Sequence, residues 1–140
     1  MVNREEVAIE LRRRLRWADA DLTGRLHFPR IFEIVEEAEA ELLRELKWEV
    51  NSRKATHEFP RVHINCSFYR MIFHDDPFVV RLTVGHVGNT SIRYDFAVFD
   101  SNNELAIKGK MVVAVLKEGR VVTVPPDLRS RLTKHSSSEP

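Results

Sequence analysis

The chain has 140 residues, of which 43% are hydrophobic and 31% charged, and its formal net charge is +1. This length and balance predict one soluble domain with a sizeable core, without an overall field that would attract nucleic acid or anionic lipid. Cys66 is the single cysteine, which excludes an internal disulfide. No apolar run approaches the ~20 residues that cross a bilayer, and residues 1–11 lack a signal-peptide core. We therefore expect a cytoplasmic protein that binds neither nucleic acid nor membrane.

The first part of the chain predicts a strand, a polar loop and a long helix. Apolar and charged residues alternate over 9–17, which is the period of a half-buried strand, and 18–25 follow as a loop. Apolar residues then recur at helical spacing over 29–46, and Pro29 suits the first turn because it has no N–H to leave unpaired. The acidic residues that fall largely outside the apolar stripe are Glu33, Glu36, Glu37 and Glu39.

The second part of the chain predicts four consecutive strands. Turn signals, among them Asp75-Asp76-Pro77 and Gly88-Asn89, separate the strand-like segments 61–69, 78–87, 90–99 and 105–116. Pro125-Pro126 is expected to end the ordered pattern, and 133–140 to form a mobile tail after a single domain of residues 1–132. Strands joined by hairpins form an antiparallel sheet, against which the helix must bury its stripe. The order therefore predicts an α+β fold of about five strands curved around one long helix.

The loop before the helix holds the residues most suggestive of chemistry. Asp19 and Asp21 precede a helix N-terminus, where unpaired N–H groups and a partial positive charge can stabilise an oxyanion. A carboxylate at this position can attack an activated acyl carbon or deprotonate a water molecule. From these residues alone, turn and capping roles for both aspartates are the commoner alternative.

This loop resembles that of the 4-hydroxybenzoyl-CoA thioesterase family of hot-dog-fold enzymes. The matching letters are D-A-D-L-T-G at 19–24 and L-H-F-P at 26–29. The resemblance covers residues 10–132 and implies a hot-dog fold that hydrolyses an acyl-CoA thioester. We expect neither a cofactor nor a metal. It also implies edge-to-edge pairing of two chains, so we expect a homodimer or homotetramer. Weaker matches lie at 65–68, 75–76 and 90–92.

The same resemblance implies roles for individual residues. Asp21 corresponds to the catalytic carboxylate, acting as nucleophile or general base, and the backbone N–H groups of His27 or Phe28 to the donors that polarise the thioester carbonyl. His27 replaces the family's common Tyr or Trp, and Arg25 replaces an apolar residue, so acyl specificity does not transfer from relatives. The residues expected to contact substrate are Asp19, Gly24, Thr90, Ser91, Arg93, Lys108 and Lys110. Lys108 and Lys110 share one face of the last strand and, with Arg93, could meet the coenzyme A phosphates, whereas ordinary exposed sheet lysines are an equally good interpretation.

Other functions remain as alternatives. The acyl group can instead be carried on an acyl-carrier protein, or the chain can bind acyl-CoA without catalysis. A 2-enoyl-CoA hydratase of the same fold would need a D-x-N-P-x-H loop, which is absent.

Several other residues could carry chemistry but have a plainer structural interpretation. Glu36 and Glu37 are candidate helix nucleophiles that we expect on the solvated face. His57 and His63 lack a matching Cys/His cluster, and Cys66 suits a buried structural thiol.

Overall fold

A computed structural model of the chain describes residues 8–50 and 53–134. Its elements are β1 (Ile9–Arg14), a short 3-10 turn (Trp17–Asp19), α1 (Arg30–Glu45), β2 (Arg61–Phe68), β3 (Pro77–Val87), β4 (Ser91–Phe99), β5 (Leu105–Ala114), β6 (Leu116–Lys117), β7 (Arg120–Val121) and α2 (Pro126–Thr133). Five strands form one antiparallel sheet in the order β1-β3-β4-β5-β2, and β6 pairs with β7 separately. The predicted α+β hot-dog architecture is confirmed. Within the described ranges, neither helix is long and apolar enough to cross a membrane.

The core lies between α1 and the inner face of the sheet. The predicted apolar stripe of α1 is buried, with Ile31, Val35, Ala38 and Leu42 fully inaccessible. Alternate residues of the central strands meet it, because side chains on one face of a strand recur every second position. Burying each large aliphatic side chain contributes roughly 1.5–3 kcal/mol, so this seam fixes the position of the helix. The inner-face residues of β4 are Ile92, Tyr94, Phe96 and Val98.

Three predicted boundaries are wrong. The first strand ends at Arg14, and Trp17 begins a 3-10 turn with its side chain 73% exposed instead of continuing the buried face. The last predicted strand is interrupted after Ala114, since the chain bends into the β6–β7 hairpin. Pro126 starts α2 and does not end the ordered part of the chain, because proline at a first helical position leaves no N–H donor unpaired. Of the predicted tail, 135–140 lie outside the described residues.

Strand register fixes which segments share an end of the sheet. The site loop lies beside the start of β3, where the Leu15 N–H donates to the Asp76 carbonyl at 3.0 Å. The ends of β4 and β2 lie at the same side, since Phe99 pairs with Leu105 and the Tyr69 N–H donates to Ala106 at 2.7 Å. The β3–β4 hairpin lies at the opposite end of the sheet, about 27 Å away along the nine residues of β4.

Candidate active-site loop

The loop from Ala20 to Leu26 is closed by its own hydrogen bonds. Ala20 and Leu26 form an antiparallel bridge, and the Asp21 N–H donates to the Arg25 carbonyl at 2.7 Å. Gly24 has a φ of +82°, a backbone conformation that residues other than glycine rarely adopt. Its carbonyl accepts the His74 N–H at 2.7 Å. Gly24 therefore shapes the turn and ties it to the segment before β3.

Asp21 is exposed, and its two carboxylate oxygens differ. Oδ1 accepts the Thr23 N–H at 2.7 Å, the Thr23 hydroxyl at 2.6 Å and the Arg25 N–H at 3.2 Å. Oδ2 accepts no hydrogen bond from residues 8–50 or 53–134. The hydrogen bonds from Thr23, first from its hydroxyl and then from its N–H, hold the pKa of Asp21 below its usual value. The carboxylate is therefore ionised at neutral pH and presents one open oxygen.

Asp19 is buried, and its contacts are with neighbouring residues of the turn and of the helix entry. Its carboxylate accepts hydrogen bonds from the Arg16 guanidinium at 2.9 and 3.2 Å, and the Arg30 Nε lies 3.9 Å away. Its carbonyl accepts the His27 N–H at 2.8 Å. A buried carboxylate without a partner is costly, so the two arginines stabilise this position. Asp19 thus ties the 3-10 turn to the start of α1.

The helix entry offers one free donor, not two. Because the His27 N–H is bound to the Asp19 carbonyl, it is not available to a substrate. The Phe28 N–H donates to no acceptor within the described part of the chain. The first intrahelical bonds follow at once, from Arg30 N–H to His27 at 2.8 Å and from Ile31 N–H to Phe28 at 3.3 Å. Of the two predicted oxyanion donors, the geometry leaves Phe28.

Exposed apolar side chains lie at Phe28, along β2, which is an edge strand of the described sheet, and along the segment that follows β2. The Phe28 ring meets the Phe68 ring edge-on with centroids 6.5 Å apart, and the Arg25 guanidinium lies 5.7 Å from the Phe73 ring centroid. Monomeric soluble proteins rarely leave so many large apolar groups together in water. We call this surface the β2 patch; it comprises Phe28, Val62, Phe68, Tyr69, Met71 and Phe73, which are 43–61% exposed.

The remaining predicted substrate contacts lie apart from the loop within one chain. Thr90 and Ser91 belong to the β3–β4 hairpin at the far end of the sheet, where the Thr90 carbonyl accepts the Val115 N–H at 3.0 Å. Arg93 lies on the outer sheet face and pairs with Asp95 at 3.1 Å. Lys108 and Lys110 share that outer face and are exposed. The structure therefore places these five residues outside the Asp21 loop of the same chain.

The interior holds a charged cluster that the sequence interpretation missed. Glu39 was expected on the solvated face, but it is 5% exposed and ion-pairs with Arg61, which also contacts Glu36 at 3.0 Å. Burial outweighs this pairing and raises the pKa of Glu39 to about 7. The fully buried Tyr94 hydroxyl has no hydrogen-bond partner among the described residues. The signal was present in the sequence, because Glu39 lies four residues after Val35 and therefore on the stripe.

A groove of about 1040 Å³ runs past this cluster between α1 and a facing segment that contributes Val50 and residues from Arg53 to Arg61. Glu36 and Glu37 line it and are exposed, as predicted.

Cys66 is half-buried in β2 rather than buried, and desolvation raises the pKa of its thiol to about 11. Across the described ranges, no group of three or more His, Cys, Asp or Glu side chains is arranged to hold a metal ion.

Comparison with known proteins adds the family. The structure resembles a hypothetical protein from Aquifex aeolicus (24% identity, 88% of this chain and 98% of that one, TM-score 0.83). It also resembles Slr0204, a 1,4-dihydroxy-2-naphthoyl-CoA thioesterase from Synechocystis (16% identity, 89% of this chain and 95% of that one, TM-score 0.82). A third similar structure is a thioesterase from Thermus thermophilus complexed with coenzyme A and Zn (21% identity, 97% of this chain and 99% of that one, TM-score 0.79). These likenesses show the fold. The family model described as "Thioesterase superfamily" matches residues 23–107, which begin two residues after Asp21. Since that match spans more than half of the chain, the protein belongs to the thioesterase superfamily.

Proposed function

We propose that the protein hydrolyses an acyl-CoA thioester to the free acid and coenzyme A, with Asp21 as the catalytic carboxylate. The observation that carries this proposal is that an ionised Asp21, whose Oδ2 accepts no hydrogen bond from the described residues, lies in the loop just before the Phe28 N–H, which donates to none of them. An N–H at a helix start suits the negative charge that develops on a thioester oxygen during attack. Membership of the thioesterase superfamily supports the reaction class.

The geometry is compatible with two routes. In the first, Oδ2 attacks the thioester carbon, the C–S bond breaks, and coenzyme A leaves as a thiolate that takes up a proton; water then hydrolyses the resulting anhydride. In the second, Oδ2 accepts a proton from a water molecule whose oxygen attacks the same carbon. The C–S bond then breaks, the acid is released, and the proton passes to the coenzyme A thiolate. Both routes need the carboxylate in its ionised form, which the hydrogen bonds from Thr23 favour.

The proposal includes a second copy of the chain paired along β2. The β2 patch is apolar and lies along an edge strand of the described sheet, where backbone groups can continue the sheet into a second chain. An antiparallel two-fold contact there would set Phe68 of one chain near Arg61 of the other, since these residues end β2. It would also bring the partner's β3–β4 hairpin end, with Thr90 and Ser91, toward Asp21. Light scattering that gave the mass of one chain at micromolar concentration would contradict this assembly.

Coenzyme A is proposed to lie on the outer face, with its phosphates near Arg93, Lys108 and Lys110. Charged phosphates are costly to bury, so cations on the outer sheet face suit them, two of them exposed lysines and the third a partly exposed arginine paired with Asp95. Replacing all three with alanine should raise the KM for acyl-CoA roughly 10-fold with little change in kcat. Lys117→Ala removes an exposed cation from β6 and serves as the matched control. An unchanged KM in the triple variant would refute the phosphate assignment.

The experiment that tests the reaction is release of free thiol from a panel of aromatic, short-chain and medium-chain acyl-CoAs. Acyl-carrier-protein thioesters belong in the same panel, because a carrier protein as acyl donor is the second candidate. Asp21→Asn protein prepared identically reports contaminating hydrolases. We expect the wild type to release thiol roughly 10²–10⁴-fold faster than Asp21→Asn. Binding of acyl-CoA without any release would favour a non-catalytic acyl-CoA-binding module instead.

A further inference from the structure

Thr23 makes two contacts with the Asp21 carboxylate, and one of them depends on its side chain. The N–H bond to Oδ1 is a common local turn contact that almost any residue could supply. The hydroxyl bond, at 2.6 Å, needs serine or threonine. It is a short charge-assisted bond, roughly twice as strong as one between neutral groups.

All three donors converge on Oδ1, which matters because Asp21 is exposed. An exposed aspartate with no partners would exchange its two oxygens by rotation about its last bond. Here the Thr23 hydroxyl, the Thr23 N–H and the Arg25 N–H hold Oδ1 in place, and Oδ2 accepts no hydrogen bond from the described residues. Thr23 is branched at Cβ, so its own χ1 is restricted, and the hydroxyl is held toward the carboxylate at little further entropic cost.

We infer that Thr23 is a positioning residue whose hydroxyl fixes the Asp21 carboxylate so that Oδ2, and not Oδ1, acts on the substrate. This inference rests on the proposed function. It assigns Thr23 no contact with the reacting atoms. The hydroxyl restricts the carboxylate to one productive orientation and favours its ionised form.

The test uses Thr23→Val, which keeps the side-chain shape and the backbone bond but removes the hydroxyl. We expect kcat to fall roughly 10- to 150-fold, the range for losing one hydrogen bond to a charged group, with KM unchanged. The acid limb of the pH dependence of kcat should move to higher pH, because the ionised carboxylate loses a donor. Thr23→Ser should restore both, and Thr123→Val, at an exposed threonine away from the loop, is the matched control.

A second readout does not need activity. The carboxyl carbon of Asp21, followed by NMR across an acid titration, should titrate at higher pH in Thr23→Val than in the wild type or Thr23→Ser. If that midpoint does not move, or if kcat and the acid limb stay at wild-type values in an active enzyme, the inference is wrong while the proposed function stands. If the wild type releases no thiol, the proposed function fails, and the titration still decides whether Thr23 holds the carboxylate.

Discussion

The loop that carries Asp21 and the helix face that carries Glu39 each hold one carboxylate, in different surroundings. Asp21 is exposed, forms no ion pair in the described structure, and has a lowered pKa. Glu39 is buried, contacts the Arg61 guanidinium directly, and has a pKa raised to about 7. The carboxylate with the cationic partner is thus the one that holds its proton more strongly.

The difference shows which physical effect dominates in each place. At Asp21, hydrogen-bond donors act on a carboxylate that keeps its hydration. The ionised form is therefore stabilised by these bonds with little cost of desolvation. At Glu39, removal from water costs more than the attraction of Arg61 returns, as is usual for buried ion pairs. An open, ionised carboxylate suits chemistry on a substrate, whereas the interior pair connects α1 to the first residue of β2.

The largest expected effect is on turnover at Asp21. Asp21→Asn keeps the shape and an acceptor for Thr23 but removes the charge, so turnover should fall roughly 10²–10⁴-fold on the best acyl-CoA found. Stability should change little, because the side chain is exposed. Asp19→Asn should cost less activity and more stability, since Asp19 is buried between two arginines. Near-wild-type turnover in Asp21→Asn would remove it from the mechanism, and Glu36 and Glu37 would be tested next.

The next effect is on folding at Arg61. Arg61→Gln leaves the buried Glu39 without its partner, which should lower the free energy of unfolding by about 2–4 kcal/mol at pH 8. The loss should be smaller at pH 5, where Glu39 is protonated and needs no cation. Arg13→Gln is the matched control, because its pair with Glu37 is exposed and worth no more than about 1 kcal/mol. Denaturant melts of both variants at the two pH values measure this; equal losses at pH 5 and 8 would contradict it.

A related effect is the pH dependence of stability. The pKa of Glu39 is about 7 in the folded chain, above its ordinary value of 4.5, so the native state binds more protons between these values. The free energy of unfolding should therefore fall as pH rises from about 4.5 to 7, by up to ~3 kcal/mol from this group. Glu39→Gln should lack that component. Subtracting the two unfolding curves isolates it, and a difference that does not vary with pH would show that Glu39 titrates normally.

The smallest expected effect is on the reactivity of Cys66, whose pKa is raised by burial alone, with no charged group contributing. Desolvation raises the pKa of Cys66 to about 11, so little thiolate is present at pH 8. Reaction with a disulfide reagent should run roughly 10-fold slower than that of a free thiol, since the scarcer thiolate is partly offset by its higher nucleophilicity. Cys66 is the single cysteine, so the absorbance trace reports it alone. A rate equal to that of the unfolded chain would contradict the effect of burial.

The sequence predicted the fold well because the fold depends on periodic burial. The stripe of α1 and the alternation in the strands are repeated signals, and the order of elements then allows few sheets. The boundaries at Trp17 and Pro126 were missed because a few local residues decide them. The prediction that Glu39 lies outside the apolar stripe is wrong, because its position four residues after Val35 puts it on the buried face.

The loop was predicted in outline but not in detail. The two aspartates and the helix entry could be recognised from the letters alone. Which N–H remains free depends on the bond from His27 to the Asp19 carbonyl, and that bond exists only once the turn has folded. Thr23 lies two residues after Asp21, the spacing of a local side-chain-to-backbone turn, so the pattern was readable, although nothing in it indicated the hydroxyl bond.

The unequal oxygens of Asp21 have a consequence for isotope labelling. If the anhydride route operates in ¹⁸O-water and water attacks the aspartyl carbonyl carbon, the original Oδ2 leaves in the product and a heavy atom replaces it. Because Oδ1 is held by three donors, it should never take the attacking position, however many turnovers follow. The peptide that contains Asp21 should then gain one heavy atom and no more, whereas a rotating carboxylate would gain two. The number of ¹⁸O atoms in the peptide would then show whether one oxygen of Asp21 reacts or both do.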